Sequence, residues 1–503
     1  MDRKAETESA KALWPRLLCG ALGLALVLAL TRYWALFDVG LPRPYDEKRL
    51  LEFAFLALVV LSLVFSPAAR WAMARVVAGL PAFDRRLLFG LLVVGAVSAL
   101  GAPLPGHAVS QLSLYGLLAI ASLGLAAAFR GEPKEARFII LFALVLISFH
   151  YSLIYLTPWL HPGNEALTAT QGQALHSLKL FPNFSNRRFL NQFQSWTMAL
   201  AILPAMLLPA RYRLARWALL LGAALWWMLV FTTDSRGSAL AVGAGLVAAL
   251  ALYRRRALGW LGWQGAAALG GLALYLVIFV LGRPEAGTDI GRLAPSGRLD
   301  LARAALDLWR SHPLFGIGPE HFAATANPIA SHPHDFPLQW LAEWGSLWTA
   351  GALLLIGRGI RGWMRATASP HASGLAAPPA IAASLTASLT GGLVHGLFSG
   401  IAVMPLSQLM AALTVGWMLA LARCAGNLPP PAPDSPGKMR GALLAGLALV
   451  FATSLVWRTV VDLPRITAAP PDFRDPGFFF KPRLWSDGRL GRRDVPANRQ
   501  KPR

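Results

Sequence analysis

Ten histidines are the side chains in this sequence best suited to proton transfer, and their placement is uneven. An imidazole takes or gives a proton near neutral pH. Once the apolar runs are laid out, His107, His161, His176, His312, His321, His332, His334 and His395 fall in, or at the ends of, segments on one predicted face of a membrane; His150 and His371 do not. The densest stretch is Ser331-His332-Pro333-His334-Asp335. Just after it, Phe336–Trp348 reads as the start of a helix, which puts His334 at a helix mouth near the positive end of the dipole. Gln339 and Glu343 stand four apart and share one face of that helix.

Three clusters carry the matching cations. Thr233-Asp234-Ser235-Arg236-Gly237 joins two apolar runs, where a guanidinium can bind a phosphate through two parallel hydrogen bonds. Ser296-Gly297-Arg298 opens a segment, Leu299–Arg310, with Leu299, Ala302, Leu306 and Trp309 at helical spacing. It reads as an amphipathic helix at the membrane surface, ended by His312-Pro313 and followed by a turn-rich link, Gly316–Phe322. The stretch from Asn183 to Gln194, with Asn186, Arg187, Arg188, Asn191 and Gln192, is dense in hydrogen-bond donors just before another apolar run.

Blander readings compete with each of these. His332 and His334 with Asp335 suggest a metal site, but the spacing does not set a tetrahedron and no cysteine joins it. His334 read blandly is a helix cap. By itself, Arg236 would be an interfacial residue stretching its charge toward water. His150 sits inside an apolar run and suits a hydrogen bond to a neighbouring helix. Most of the 18 tryptophans fall near the ends of apolar runs and read as interfacial anchors.

The elements that must position these groups are membrane helices. Hydrophobic residues make up 55% of the 503-residue chain and charged ones 14%, against about 25% in soluble domains. A span needs about 20 apolar residues. Runs that qualify begin near Leu13, Leu50, Leu87, Val109, Phe138, Phe193, Trp217, Ser238, Trp263, Leu347, Leu375, Ile401 and Gly441, so the expected fold class is all-α, a transmembrane helical bundle of about twelve to thirteen spans. The net charge of +22 arises from arginines and lysines in alternate short loops, which the positive-inside rule assigns to the cytoplasm. The basic loop from Arg32 to Arg49 is the exception, since it falls on the other side. This distribution argues against a nucleic-acid partner and for a lipid bilayer. Residues 1–460 are expected to form the membrane domain, with external loops over 160–192 and 283–346; residues 461–503 read as a polar, poorly ordered external tail. Cys19 and Cys424 lie in or beside apolar runs, which argues against a disulfide framework.

Taken together, the clusters resemble the O-antigen ligase and polymerase superfamily, which includes bacterial protein O-oligosaccharyltransferases. The resemblance runs from about Asn183 to Gly345. It rests on Ser235-Arg236-Gly237 at a helix junction, Ser296-Gly297-Arg298 at a helix start, a link with Pro313, Leu314, Gly316 and Gly318, and a stretch with His334, Leu338, Gln339, Glu343 and Gly345. Two residues depart from the pattern: Asp335 follows the histidine where asparagine is common, and Pro337 stands where an aromatic or aliphatic residue is preferred.

The resemblance implies a glycosyltransferase of the bacterial inner membrane with a periplasmic site. It would move a glycan from undecaprenyl-pyrophosphate to a hydroxyl, most simply that of lipid A–core. It implies His334 as the catalytic base and Arg236 and Arg298, with Arg187 or Arg188, as donor-binding cations; Gln339, Glu343, His332 and His395 are supporting candidates. Fixed cations aimed at charge developing on the leaving pyrophosphate stabilise the transition state, and a positioned base activates the hydroxyl. Attack opposite the leaving group inverts the anomeric centre. No Asp-x-Asp pair occurs in the chain, so a metal-independent reaction with no cofactor is expected. An O-antigen polymerase or a protein O-oligosaccharyltransferase would differ only in acceptor. A lipid-linked-sugar transporter is the distant rival, but neither inverted repeats nor paired broken helices are evident.

Overall fold

A computed structural model describes residues 3–31, 44–131, 133–160, 183–184, 187–233, 235–281, 297–324, 330–368, 379–424, 436–467, 483–486 and 488. Asp234, Ser296, Asn186, His161, His176 and His371 lie outside these residues, as do most of the loop over 160–192 and residues 283–296 and 325–329 of the second loop. The described residues form an all-α bundle without a strand. In chain order the helices are α1 (Arg3–Leu30), α2 (Pro44–Phe65), α3 (Pro67–Ala78), α4 (Ala82–Leu100), α5 (Pro105–Gly131), α6 (Pro133–Leu160), α7 (Arg187–Ala201), α8 (Leu203–Leu207), α9 (Arg213–Thr232), α10 (Arg236–Tyr253), α11 (Leu258–Tyr275), α12 (Arg298–Ser311), α13 (Phe336–Ala368), α14 (Pro379–Gly396), α15 (Pro405–Cys424) and α16 (Pro436–Thr467).

Each expected span finds a helix, with Leu375 and Ile401 falling a few residues ahead of theirs. Among the described residues, seven segments are long and apolar enough to cross a membrane, or eight if α2 and α3, bent by 102°, form one broken span. The others fail for physical reasons. α7 has 15 residues, α4 starts on Asp84, Arg85 and Arg86, and α13 carries Arg358, Arg361 and Arg365. One apolar stretch, Arg236–Leu281, is two helices: Arg254 takes φ 49°, ψ −125° and ends α10. Trp217 lies 6.4 Å from Trp263 and Phe231 6.3 Å from Tyr275, so α9 and α11 run parallel and α10, which joins them in the chain, runs the opposite way.

Small residues set the helix spacing, as is common in membranes. A Cβ on Gly245 would stand 2.5 Å from the Ala387 carbonyl oxygen, which seats α10 directly on α14. A Cβ on Gly271 would stand 2.6 Å from the Ala224 oxygen, which seats α11 on α9. The outer surface shows large apolar side chains, among them Phe65, Phe89, Phe138, Leu214, Leu281 and Trp457. So much exposed apolar area suits lipid rather than water. The protein is a multi-pass membrane protein, and Cys19 is a buried free thiol.

The two ends of the bundle differ in charge. α9 rises from Arg213 and Arg216 to Thr233, and Thr233 receives a hydrogen bond from Asn191 on α7 at 2.7 Å. α5 starts with His107 facing Glu320 at 3.6 Å and finishes with Arg130 donating to the Leu419 carbonyl at 3.1 Å. α13 starts beside His334 and runs to Arg358, which pairs with Asp84. In all three, the alternate-loop arginines sit at the end far from the histidines.

A few residues of the tail are described. α16 continues past residue 461 to Thr467, and Arg483, Leu484, Trp485 and Ser486 are buried against the histidine-bearing end. These few anchoring side chains leave no periodic pattern in the sequence.

Candidate functional site

The loop that presents His334 is built on a broken helix. Gly345 takes φ 77°, ψ 178° inside α13, so Phe336–Trp344 is a short helical piece hinged on the rest. The Pro313–Gly318 link lies in the break. Ile317 donates to the Ala342 carbonyl at 3.0 Å, Gly318 to that of Glu343 at 3.0 Å, and Ser346 to that of Pro313 at 2.8 Å. Contact is so close that a Cβ on Gly345 would meet the Leu314 oxygen at 2.2 Å, and one on Gly316 the Glu343 oxygen at 2.4 Å. Gly316 also needs φ 70°, a conformation glycine reaches without a steric penalty. The glycines of the link and of the Glu-x-Gly stretch are therefore scaffold, not chemistry.

Asp335 caps the hinged piece. Its Oδ1 accepts the Leu338 amide at 2.9 Å, which satisfies one of the orphan donors of the first turn. Pro337 sits in that first turn, where its missing N–H costs nothing. The asparagine-to-aspartate departure thus keeps the cap, and His334 is left free of capping duty. His334 itself takes φ 60°, outside the usual range for a residue with a Cβ.

Three further elements close on this ring. His332 stacks edge-on against it at 4.4 Å between centroids. His332 is buried against Gly400, where a Cβ would meet its Nε2 at 2.1 Å, and Phe336 lies against Gly396. His395, one residue before Gly396, therefore belongs to the same mouth. Its Nδ1 lies 2.7 Å from the Ser195 hydroxyl on α7. The third element is α12, whose expected start and length hold. Leu301 and Ala305 on its inner face pack on Phe322, Ala330 and Ala342, so α12 docks on the histidine loop rather than only on lipid.

The electrostatics are set by burial and by two guanidinium groups. Burial, then Arg298 at the start of α12, then Arg188 at the start of α7, push the His334 imidazole down to about 4. It is therefore neutral at physiological pH, the form that can accept a proton. Arg298 also acts on His395, and Arg188 feels both Arg298 and Arg187. Such a crowd of like charges suits an anion. Arg188, Arg236 and Arg298 are all exposed at this mouth. Arg236 opens α10 beside Gly237, whose Cβ position is 3.6 Å from His395 Nε2.

Not every candidate points into the mouth. Glu343 is fully buried; it accepts the Phe322 amide at 3.0 Å and the Gln339 side chain at 3.3 Å, and pairs with Arg483 at 2.9 Å. Among the described residues neither Gln339 nor Glu343 hydrogen-bonds His334. Asn191, Gln192 and Gln194 are buried as well and tie α7 to α9 and to Ser399. His321 locks the link to α5: its Nε2 accepts the Leu104 amide at 2.9 Å and its Nδ1 faces the Pro319 carbonyl at 2.8 Å. No group of three His, Cys, Asp or Glu side chains that could hold a metal occurs among the described residues.

Sequence reasoning missed Ser195 and Arg483. Ser195 lay in an apolar run, and only the close approach of α7 to α14 gives it a histidine. Beside the mouth lies an apolar cleft of about 270 Å³, lined by Phe336, Trp340, Tyr115, Trp196, Ile401 and Leu393.

Comparison with known proteins bears on this arrangement directly. Residues 218–355 match the O-antigen ligase family, a span that holds Arg236, Arg298, His334, Gln339 and Glu343. Arg187, Arg188 and His395 lie outside it. No curated protein matches the chain.

Proposed function

We propose, on the premise that residues 218–355 form an O-antigen ligase domain, that this protein transfers a glycan from undecaprenyl-pyrophosphate to a hydroxyl of lipid A–core at the periplasmic face of the inner membrane. The observation that carries the proposal is one mouth, at the end of the bundle away from the basic loops, where the His334 imidazole packs on His332 within electrostatic reach of the exposed guanidinium groups of Arg298 and Arg188. The positive-inside rule supports a periplasmic placement of that end.

The reaction follows from the groups present. His334 takes the proton of the acceptor hydroxyl as its oxygen attacks the anomeric carbon. The bond from that carbon to the pyrophosphate oxygen breaks, and inversion results. Arg298 and Arg188, with Arg236 at the rim, receive the charge that builds on the leaving pyrophosphate; a guanidinium fork matches two phosphate oxygens where an ammonium would match one. Of the neighbouring pair, Arg188 is the donor-binding residue in this reading, since it and not Arg187 acts on His334. The cleft beside Phe336 and Trp340 gives an isoprenoid chain an apolar berth.

The test is purified protein in nanodiscs with a polyprenyl-pyrophosphate-linked glycan and each acceptor class in turn: lipid A–core, a growing glycan, a protein. Transfer to lipid A–core that His334→Ala abolishes supports the reading, and activity is expected to persist in chelator. Transfer to another acceptor only would make the protein a polymerase or an O-oligosaccharyltransferase. Movement of donor across the bilayer without coupling would make it a transporter.

A further inference from the structure

The buried tail segment Arg483–Ser486 sits within reach of the histidine loop. Arg483 donates from Nη1 to the Ser331 carbonyl at 3.3 Å and from Nη2 to the Glu343 carboxylate at 2.9 Å. These two acceptors flank His332, His334 and Asp335, one just before them and one on the hinged piece after them. The same carboxylate accepts the Phe322 amide and the Gln339 side chain, so the guanidinium and Glu343 together join the link, the loop and the helix.

The segment is itself firmly held. The amide and hydroxyl of Ser486 donate to the two oxygens of Asp46 at 2.7 and 2.6 Å. Arg49 donates to the Leu484 carbonyl at 2.9 Å. The Trp485 indole donates to Asp462 at 2.9 Å, and its ring packs edge-on against Phe53 at 5.8 Å. α2 and α16 thus anchor a short strap whose first residue reaches over to the loop.

Arg483 is 2% exposed and Glu343 is fully buried. Burial opposes the charge on Arg483, but Glu343 and Glu320 more than restore it. Burial likewise pushes Glu320 up, yet His107, Arg483 and Arg458 hold its carboxyl below the usual range. A buried pair that loses one partner strands a charge, so such a pair is a stiff joint rather than a loose contact. The planar fork is what lets one side chain serve two acceptors.

We propose that the C-terminal segment Arg483–Ser486 is a strap that holds the His334 loop in its reactive position, with Arg483 as the positioning residue. The strap touches no reacting atom; it works by fixing residues 331 and 343 relative to each other. The consequence for catalysis rests on the glycosyl-transfer reading above; the mechanical role does not.

The experiment is Arg483→Ala in the full-length protein, read two ways. Amide exchange of the peptides covering 330–345 and Phe322 is expected to rise at least tenfold, while that of α9 and α11 stays unchanged. Turnover is expected to fall at least tenfold with donor KM nearly constant, and added guanidinium is expected to restore part of it. A merely structural loss would instead lower the yield of folded protein and would not respond to guanidinium. If Arg483→Ala does not fold, Arg483→Lys serves: it keeps the charge but cannot span both acceptors, so an intermediate exchange rate is expected. Wild-type exchange in the loop of either variant would overturn the strap, whatever reaction is catalysed. A loosened loop in a protein that transfers no glycan would leave the strap standing and remove the functional reading instead.

Discussion

His395 Nδ1 stands 2.7 Å from the hydroxyl of Ser195, and that hydroxyl donates onward to the Asn191 carbonyl at 3.0 Å. A hydroxyl has one proton, so if Ser195 spends it on the Asn191 carbonyl it accepts from the Nδ1–H of His395. The lone pair of His395 then lies on Nε2, which faces Gly237 at the start of α10. His395→Ala is therefore expected to lower turnover about 10–100-fold, the range of a lost polar contact of roughly 1–3 kcal/mol at the reacting centre. Ser195→Ala should cost less, and the double variant no more than His395→Ala. Strict additivity in steady-state kinetics would separate the two residues.

His334→Ala is expected to lower turnover about 10²–10⁴-fold, the usual contribution of a positioned base. The pH profile follows from the depressed imidazole. The base is lost as pH falls through its own value, so the acid limb of kcat/KM is expected near pH 4 and not near 6.5. Bound pyrophosphate partly neutralises Arg298 and Arg188, so the acid limb of kcat should lie higher. An acid limb near 6.5 in the free enzyme would detach catalysis from this imidazole.

Arg298→Gln is expected to lower kcat about 10²–10³-fold, as when one fixed donor to a developing oxyanion is removed. It should also raise the acid limb of kcat/KM, because one cation that depresses His334 is gone. Arg298→Lys should restore the limb more than the rate, since it returns charge without the fork. Parallel recovery of both would argue against bidentate phosphate binding.

Gly345→Ala is expected to abolish folding of the hinged piece. The added Cβ would meet the Leu314 carbonyl oxygen at 2.2 Å, and φ 77° is strained for alanine. Strain alone costs about 1–3 kcal/mol, and the clash adds to it. A large drop in melting temperature in detergent, with loss of activity, checks this; Gly90→Ala, where nothing lies within 4 Å, is the control.

Asp335→Asn is expected to be nearly silent, because either side chain caps the first turn. Asp335→Ala should destabilise the hinged piece by about 1 kcal/mol. Thermal melts and turnover of the two variants compared side by side decide it.

Much of this molecule was written locally. Apolar runs of membrane length fixed the helices, because a backbone in lipid must satisfy its own hydrogen bonds and only a helix does so within one segment. Arginines in alternate short loops fixed which ends share a face. The Ser296-Gly297-Arg298 start, the glycine link and the histidine ahead of a helix were legible because caps, positive-φ turns and amphipathic spacing act over a few neighbouring residues. What needed the tertiary structure were relations between groups far apart in the chain. The sequence does not tell that Arg188 and Arg298 act on one imidazole, that Ser195 meets His395, or that Arg483 reaches back 140 residues to Glu343. Each of these depends on which helix faces which, and that is decided by close packing at glycines such as Gly245 and Gly271, whose consequence appears only when the partner helix is present.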